Sequence, residues 1–244
     1  MVQEKQVFSE PFKIRSSEIR PDGKAKLQTI CDLLQEIAGN HALQLNFDVT
    51  QLNEKNLTWV LHRLDVQIER YPEWRETVEV ETWPAGGDKL RAHRDFQVWD
   101  EQGNIIIRAL SYWLMIDRSN RRPVRIPDEV LNMASKDINH VIPVKKTRPS
   151  SPKSTESEKQ FSVRYSDLDV NRHVNNIKYV EWVTETLPKY RLTKTMDIEF
   201  KAECNHGDTI KVATGPVKDN NTQSDVMIQG EGNVLATANL ELFD

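Results

Sequence analysis

Cysteine is scarce: Cys31 and Cys204 are the only two in 244 residues. Two thiols build no disulfide framework, and their spacing suits no metal site. Long apolar runs are missing as well. The most apolar stretch, residues 105–116, is interrupted by Arg108, Ser111 and Tyr112, so no membrane span is expected. The opening MVQEKQVFSEPF has neither the basic start nor the apolar core of a secretory signal, and it is too acidic and short for an organelle transit segment. A reducing cytoplasm is the expected compartment. Positive charge is not in excess either. A net charge of −4 argues against a dedicated nucleic-acid binder. A dinucleotide-binding fold is excluded by the lack of a GxGxxG turn and of alternating strands and helices.

What is present is enough apolar residue, 38%, for one large core or two modest ones. Residues 24–45 have helical spacing, with Ile30, Leu33, Leu34, Ile37, Ala38 and Leu45 on one side. Gly39-Asn40 is expected to bend or narrow that helix, and a packing contact is the role expected for the glycine. From residue 57 the period becomes that of strands: 57–68, 76–83, 91–100 and 105–116, with Asp100-Glu-Gln-Gly103 as a hairpin turn. Prolines at 123, 127, 143, 149 and 152 and the run RPSSPKSTESEK mark a linker, with a short helix after Ile126-Pro127. Domains are therefore expected at 1–118 and 159–244, joined by 119–158. Two basic clusters border the linker, Arg118, Arg121, Arg122 and Arg125, then Lys145, Lys146, Arg148 and Lys153. They either dock an acidic partner or solvate a connector.

The second half repeats the plan of the first. FKIRSSEIRPDGK from Phe12 and FSVRYSDLDVNRH from Phe161 match at a constant offset: Arg15 with Arg164, Ser17 with Ser166, Glu18 with Asp167, Ile19 with Leu168. Each copy leads into a helix and a set of strands, which indicates an internal duplication. In the second copy the strands are expected at 195–203, 208–215, 223–230 and 234–243, with a turn at 219–221.

One stretch of that copy carries chemistry, SDLDVNRHVNNIKYVEW at 166–182. Asp169, Asn171 and His173 alternate just ahead of a helix expected over 174–187, whose apolar stripe is Val174, Ile177, Val180, Thr184 and Leu187. Such a cluster either caps the helix or uses the positive helix end to hold a carbonyl as charge develops on its oxygen. In the first copy the same positions are Arg20, Asp22 and Lys24. Because only one copy holds the histidine-containing trio, a single site in the second domain is the preferred reading. His62, His93 and His140 have no metal-ligand spacing, and no metal is called for.

The segments DLDVNRHVNNIKYVEW (167–182), IEFKAEC (198–204) and WVLHRLDVQIERYPEWRETVEVETWPAG (59–86) together resemble the acyl-acyl-carrier-protein thioesterases of plant plastids and bacteria. The likeness extends over residues 8–243, and the early start of the first domain resembles a bacterial form. It implies an α+β tandem double hot-dog fold, each unit a curved antiparallel sheet wrapped around a central helix. It also implies hydrolysis of the thioester between a fatty acyl chain and the phosphopantetheine arm of acidic acyl carrier protein, with no further cofactor. By resemblance the catalytic residues are Asp169, Asn171, His173 and Glu203: Glu203 as base toward water, Asp169 ordering the proton network, Asn171 holding water or carbonyl, His173 beside the leaving sulfur. A papain-like trio of Cys204, His173 and Asn171 is the competing mechanism. Adjacent strand residues point to opposite faces, so Glu203 and Cys204 are not expected in one pocket, and Glu203 is preferred. The chain pocket is expected in the first domain near Leu34, Ala38, Ala42, Trp59 and Leu61. An acyl-coenzyme A thioesterase, a hot-dog dehydratase and a non-catalytic acyl-binding protein are the alternatives, and a monomer or homodimer is compatible with the sequence.

Overall fold

The computed structural model describes residues 7–134, 139–169, 172–187, 191–217 and 222–243. Contacts divide the chain into two units, Met1–Val144 and Lys145–Asp244. The first runs β1 (Phe8–Lys13), α1 (Leu27–Gln44), α2 (Val49–Glu54), β2 (Leu57–Ile68), β3 (Thr77–Gly87), β4 (Arg91–Trp99), β5 (Ile105–Asp117) and α3 (Asp128–Leu131). Its strands are antiparallel in the order β1-β3-β4-β5-β2. The second runs β6 (Ser157–Ser162), α4 (Asn176–Glu185), β7 (Thr193–Phe200), β8 (Thr209–Thr214), β9 (Gln223–Gly230) and β10 (Asn233–Leu242). Its order is β7-β10-β9-β8-β6, again antiparallel. The turn expected at 219–221 lies outside the described residues.

Helix α1 forms because Ile30, Leu34, Ile37, Ala38 and His41 recur every three or four residues and are all buried. It has no side-chain cap at Lys26. Instead the Glu18 carbonyl accepts from the Lys26 N–H at 2.9 Å and from Thr29 Oγ1 at 2.9 Å. At its far end Leu45 N–H returns to the His41 carbonyl, and Asn46 leaves in the left-handed region at φ 60°. Gly39 corrects one expectation. A Cβ built there meets nothing within 4 Å, so close packing is not the reason for the glycine. The short helix α2, which the apolar pattern did not signal, buries only Leu52. A capping box between Asp48 and Gln51 sets its start.

The expected wrapping of each sheet around its helix is also corrected. Two hot-dog-like α+β units are present, but their sheets are open ladders, neither closed nor strongly curled. In the first unit α1 packs principally on β3 and β1; in the second α4 packs principally on β9. Alternation reports which face is buried, not how far the sheet bends. Bending comes from twist and bulges. Apart from the shift between Leu61 and Arg63, the register shifts lie near strand ends.

The duplication is reproduced bond for bond around each helix start. Arg15–Glu18 and Arg164–Asp167 form the same capping box at a 3-10 turn. Ile19 bridges Ala25 as Leu168 bridges Val174. Lys26 N–H donates to the Glu18 carbonyl as Asn175 N–H donates to that of Asp167.

Candidate functional site

Asp169, Arg172 and His173 are hydrogen-bonded like their counterparts Arg20, Gly23 and Lys24. Asp169 N–H donates to the His173 carbonyl at 2.8 Å, as Arg20 N–H does to that of Lys24. Arg172 N–H donates to the Asp169 carbonyl at 3.0 Å, as Gly23 N–H does to that of Arg20. Gly23 sits at φ 82° and Arg172 at φ 64°. A left-handed residue is thus needed in both copies, and the second keeps it without glycine, at a cost in strain. What differs is the side chains. In the first copy Arg20 pairs with Asp22 at 3.3 Å. In the second, Asp169 Oδ1 accepts the His173 N–H at 3.3 Å and His173 Nε2 stands 3.6 Å from Glu203 Oε2.

Glu203 reaches His173 from a loop rather than a strand, which corrects the expected extent of β7. The strand ends at Phe200. Lys201 and Ala202 N–H both turn to the Leu235 carbonyl, and Val174 N–H meets the Cys204 carbonyl at 3.4 Å, tying this loop to the turn. Beyond it Asp208 Oδ2 accepts from Asn205 N–H at 2.7 Å. The His173 and Glu203 side chains keep 32% and 41% of their surface exposed, so water has access to both.

Cys204 faces the other way and is 2% exposed. Its Sγ lies 3.1 Å from the Tyr179 hydroxyl, which also approaches the Ala202 carbonyl at 3.3 Å. Burial first, then the negative charges of Asp208, Asp167 and Glu203, push the thiol up to about 11, against the opposing effect of the Tyr179 hydrogen bond. The Tyr179 hydroxyl is itself raised, chiefly by burial and next by its bond to Cys204. Tyr179 was not signalled by the sequence. The buried face of α4 is Tyr179, Val180, Trp182 and Val183, rather than the stripe through Ile177 and Thr184. The residue that would have revealed it is Asn175, the N-cap, because Tyr179 stands one turn on from it.

Asn175 Oδ1 accepts from Ile177 N–H at 3.0 Å, and its carbonyl accepts from Lys178 N–H at 2.8 Å. Asn175 is therefore the residue that caps the helix. Asn171 lies outside the described residues. The Asp167 carboxylate, 1% exposed, is held by Arg164 N–H at 2.8 Å, with Lys178 Nζ at 3.8 Å.

Other histidines are placed differently. His206 is exposed, edge-on to Tyr165. His41 is 4% exposed, and its Nδ1 lies 3.0 Å from Arg94 Nη1. Arginine only donates, so His41 Nδ1 accepts and the ring is neutral. Burial, then the Arg94 charge, lowers His41 to about 4. His140, distant in sequence from His93, is brought to 5.3 Å between ring centroids, with its Nδ1 3.1 Å from Asp95 Oδ1. Among the described residues no group of His, Cys, Asp and Glu is arranged to hold a metal ion.

Two α+β units, one of which sets a histidine against a carboxylate at the turn before its helix, define a hot-dog-like protein. Family models agree on which kind. The acyl-ACP thioesterase N-terminal domain matches residues 5–134 and the acyl-ACP thioesterase C-terminal domain residues 150–242. This chain belongs to the acyl-ACP thioesterase family. It is 35% identical over 250 residues to the chloroplastic palmitoyl-acyl carrier protein thioesterase of Gossypium hirsutum, covering 96% of this chain and 60% of that one. Among solved structures, an acyl-ACP thioesterase from Bacteroides thetaiotaomicron superposes with a TM-score of 0.89 at 26% identity over 100% of both chains. The 12:0-ACP thioesterase of Umbellularia californica gives 0.85 at 31% identity over 97% of each. The chain thus spans about 60% of the Gossypium relative's length.

These relatives overturn the expected cytoplasmic compartment, because the curated plant proteins matched are chloroplastic. The physical reason is that scarce cysteine indicates a reducing compartment and does not say which one. No helix among the described residues is long and apolar enough to cross a membrane.

Proposed function

We propose that the protein hydrolyses fatty acyl-acyl carrier protein, releasing the fatty acid and holo-carrier protein. One observation carries the reading: in a chain of this family, the turn before α4 and the loop after β7 bring His173 and Glu203 within 3.6 Å, both open to water. Glu203 takes a proton from water as the oxygen attacks the thioester carbonyl. The tetrahedral oxyanion collapses, the C–S bond breaks, and the proton taken up by Glu203 is relayed through His173, 3.6 Å away, to the departing sulfur, which restores both side chains. Asp169, bonded to the His173 backbone, fixes that ring's approach. Asn171 is proposed, from the family's pattern, to hold the water or carbonyl oxygen. General acid–base assistance of this kind contributes about 10²–10⁴-fold.

Cys204 is a poor alternative nucleophile. A thiol raised to about 11 holds little thiolate near neutrality, and Tyr179 already occupies the sulfur. We further propose that residues 1–118 bind the acyl chain, that 119–158 connect, and that 159–244 carry the chemistry. Leu34, Ala38 and Leu61 are buried in the first unit. Trp59 instead joins Phe47, Leu52 and Met115 in a cluster at α2, its Nε1 donating to the Phe47 carbonyl at 2.8 Å. A bacterial form is supported by the end-to-end correspondence with the Bacteroides protein. The test is thiol release from acyl-carrier protein, acyl-coenzyme A and hydroxyacyl thioesters of several chain lengths. Preference for the carrier-bound substrate is expected; turnover of acyl-coenzyme A alone, or alkene formation, would refute it.

A further inference from the structure

The two helix starts share their backbone links and differ in how they hold one acid. In each copy the acid of the 3-10 turn gives its carbonyl to the N–H of the residue before the helix: Glu18 to Lys26, Asp167 to Asn175. The carboxylates are treated differently. Glu18 Oε2 accepts Arg15 N–H at 2.7 Å and Glu18 Oε1 accepts Arg15 Nε at 2.6 Å, so one arginine occupies both oxygens. Asp167 is one methylene shorter. Arg164 N–H and Nε both reach its Oδ2, at 2.8 and 3.4 Å. Oδ1 is left buried without a hydrogen-bond partner among the described residues, a costly position for a carboxylate oxygen. The cation that faces it is Lys178, with Nζ 3.8 Å away.

Resting on the reading of His173 and Glu203 above, we propose that Lys178 is a positioning residue for the thioesterase site and acts through Asp167. Lys178 is the third residue of α4, where the positive helix end disfavours a cation. Two carboxylates offset that: Asp167, and Glu181 at 2.9 Å. Lys178 thus ties the first turn of α4 back to the 3-10 turn at Tyr165–Asp167, and His173 lies in the chain between the two tied points. Because Asp167 is buried, the pair is little screened by solvent. In the first copy the positions of Lys178 and Glu181 hold Thr29 and Asp32. Thr29 Oγ1 donates to the Glu18 carbonyl at 2.9 Å, and its side chain brings no charge to the acid. The lysine link therefore accompanies the histidine copy alone. That copy has a physical need for it. Arg172 stands at φ 64° where the first copy has Gly23, and a strained residue persists only where its surroundings over-determine it. The added link supplies such a constraint and keeps His173 Nε2 at 3.6 Å from Glu203 Oε2.

The experiment follows thiol release from a small acyl-N-acetylcysteamine thioester, well below each protein's melting temperature. It compares wild type, Lys178→Thr, Lys178→Arg, Asp167→Asn, the double variant Asp167→Asn/Lys178→Thr and, as reference, Glu203→Gln. Lys178→Thr installs the first copy's residue. It is expected to lower kcat about tenfold to a hundredfold with KM nearly unchanged, and Lys178→Arg to restore most of the rate. Asp167→Asn should lose a similar factor, since its amide oxygen still accepts Arg164 N–H while the charge facing Lys178 is gone. The double variant should lose no more than either single one, because both residues act through one contact. A Lys178→Thr protein with a lower melting temperature and wild-type kcat would show a structural role only and overturn the proposal, as would losses that multiply in the double variant. If Lys178→Thr does not fold, wild-type kcat in Asp167→Asn overturns it instead. These results leave the site reading standing as long as Glu203→Gln is inactive; wild-type turnover by Glu203→Gln would refute that reading and the proposal with it.

Discussion

At the scale of single residues, the decision lies between two neighbours, Glu203 and Cys204. In the sequence, strand alternation sets them on opposite faces. The structure separates them too, although β7 ends before either: Cys204 turns to Tyr179, and Glu203 turns to His173. Replacing Cys204 with Ala is therefore expected to leave thioester hydrolysis within a few-fold of wild type; trapping of an acyl group on Cys204 would reverse the assignment. Tyr179 brackets Glu203, with its hydroxyl on the Ala202 carbonyl and the Cys204 sulfur. Tyr179→Phe should lower kcat and leave KM for a small thioester nearly unchanged, because it loosens the loop without touching a chain pocket. Asp169, His173 and Glu203 stood out in the sequence as candidates. Their geometry did not, because the loop that delivers Glu203 depends on bonds to Leu235, far along the chain.

At the scale of elements, legibility followed length and period. Strands β2 and β9 have the limits their alternation implies. The short helix α2 escaped because six residues with one buried side chain present no stripe. Its capping box, Asp48 to Gln51, was the available signal. Strand β6 begins at Ser157, inside the serine-rich run that reads as linker, because its pairing with β8 supplies what its composition lacks. Gly39 leads to a stability prediction. It is exposed, helical and open where a Cβ would stand. Gly39→Ala should stabilise the fold by roughly 0.5–1 kcal/mol, read as a higher urea midpoint. A lower midpoint would mean that the helix needs the glycine for a reason other than packing.

The contact of α1 with β4 sets a pH dependence. His41 is lowered from 6.5 to about 4 by burial and Arg94, and a depressed histidine folds as the neutral ring. Its stabilising contribution is fully present above 6.5, where the unfolded chain is also neutral. Between 6.5 and 4 the unfolded chain binds the proton and the folded one does not, so stability falls as pH falls. The loss is on the order of 3 kcal/mol at most. Urea titrations across that window should show it, and His41→Gln should flatten it. An equal slope in both proteins would assign the dependence elsewhere, with His93, also lowered to about 4 by burial and His140, as the next group to replace.

At the scale of the whole molecule, duplication was legible from matched residues, and the paired turns bear it out bond for bond. Sheet curvature was not legible, since a period of two is the same in a flat and a curled strand. Compartment was not legible either, since two thiols mark only a reducing environment. The two copies share one scaffold and differ in what the turn carries: an Arg20–Asp22 pair in one, a histidine facing a carboxylate in the other. We propose that this second turn, with Glu203 as base, hydrolyses the thioester of acyl-acyl carrier protein by direct attack of water. The most direct measurement is thiol release from acyl-carrier protein by Glu203→Gln, a variant of equal size without the proton acceptor, checked for folding by circular dichroism. The account predicts a fall of about 10²–10⁴-fold with the fold intact. A folded variant that keeps near-full activity would contradict it.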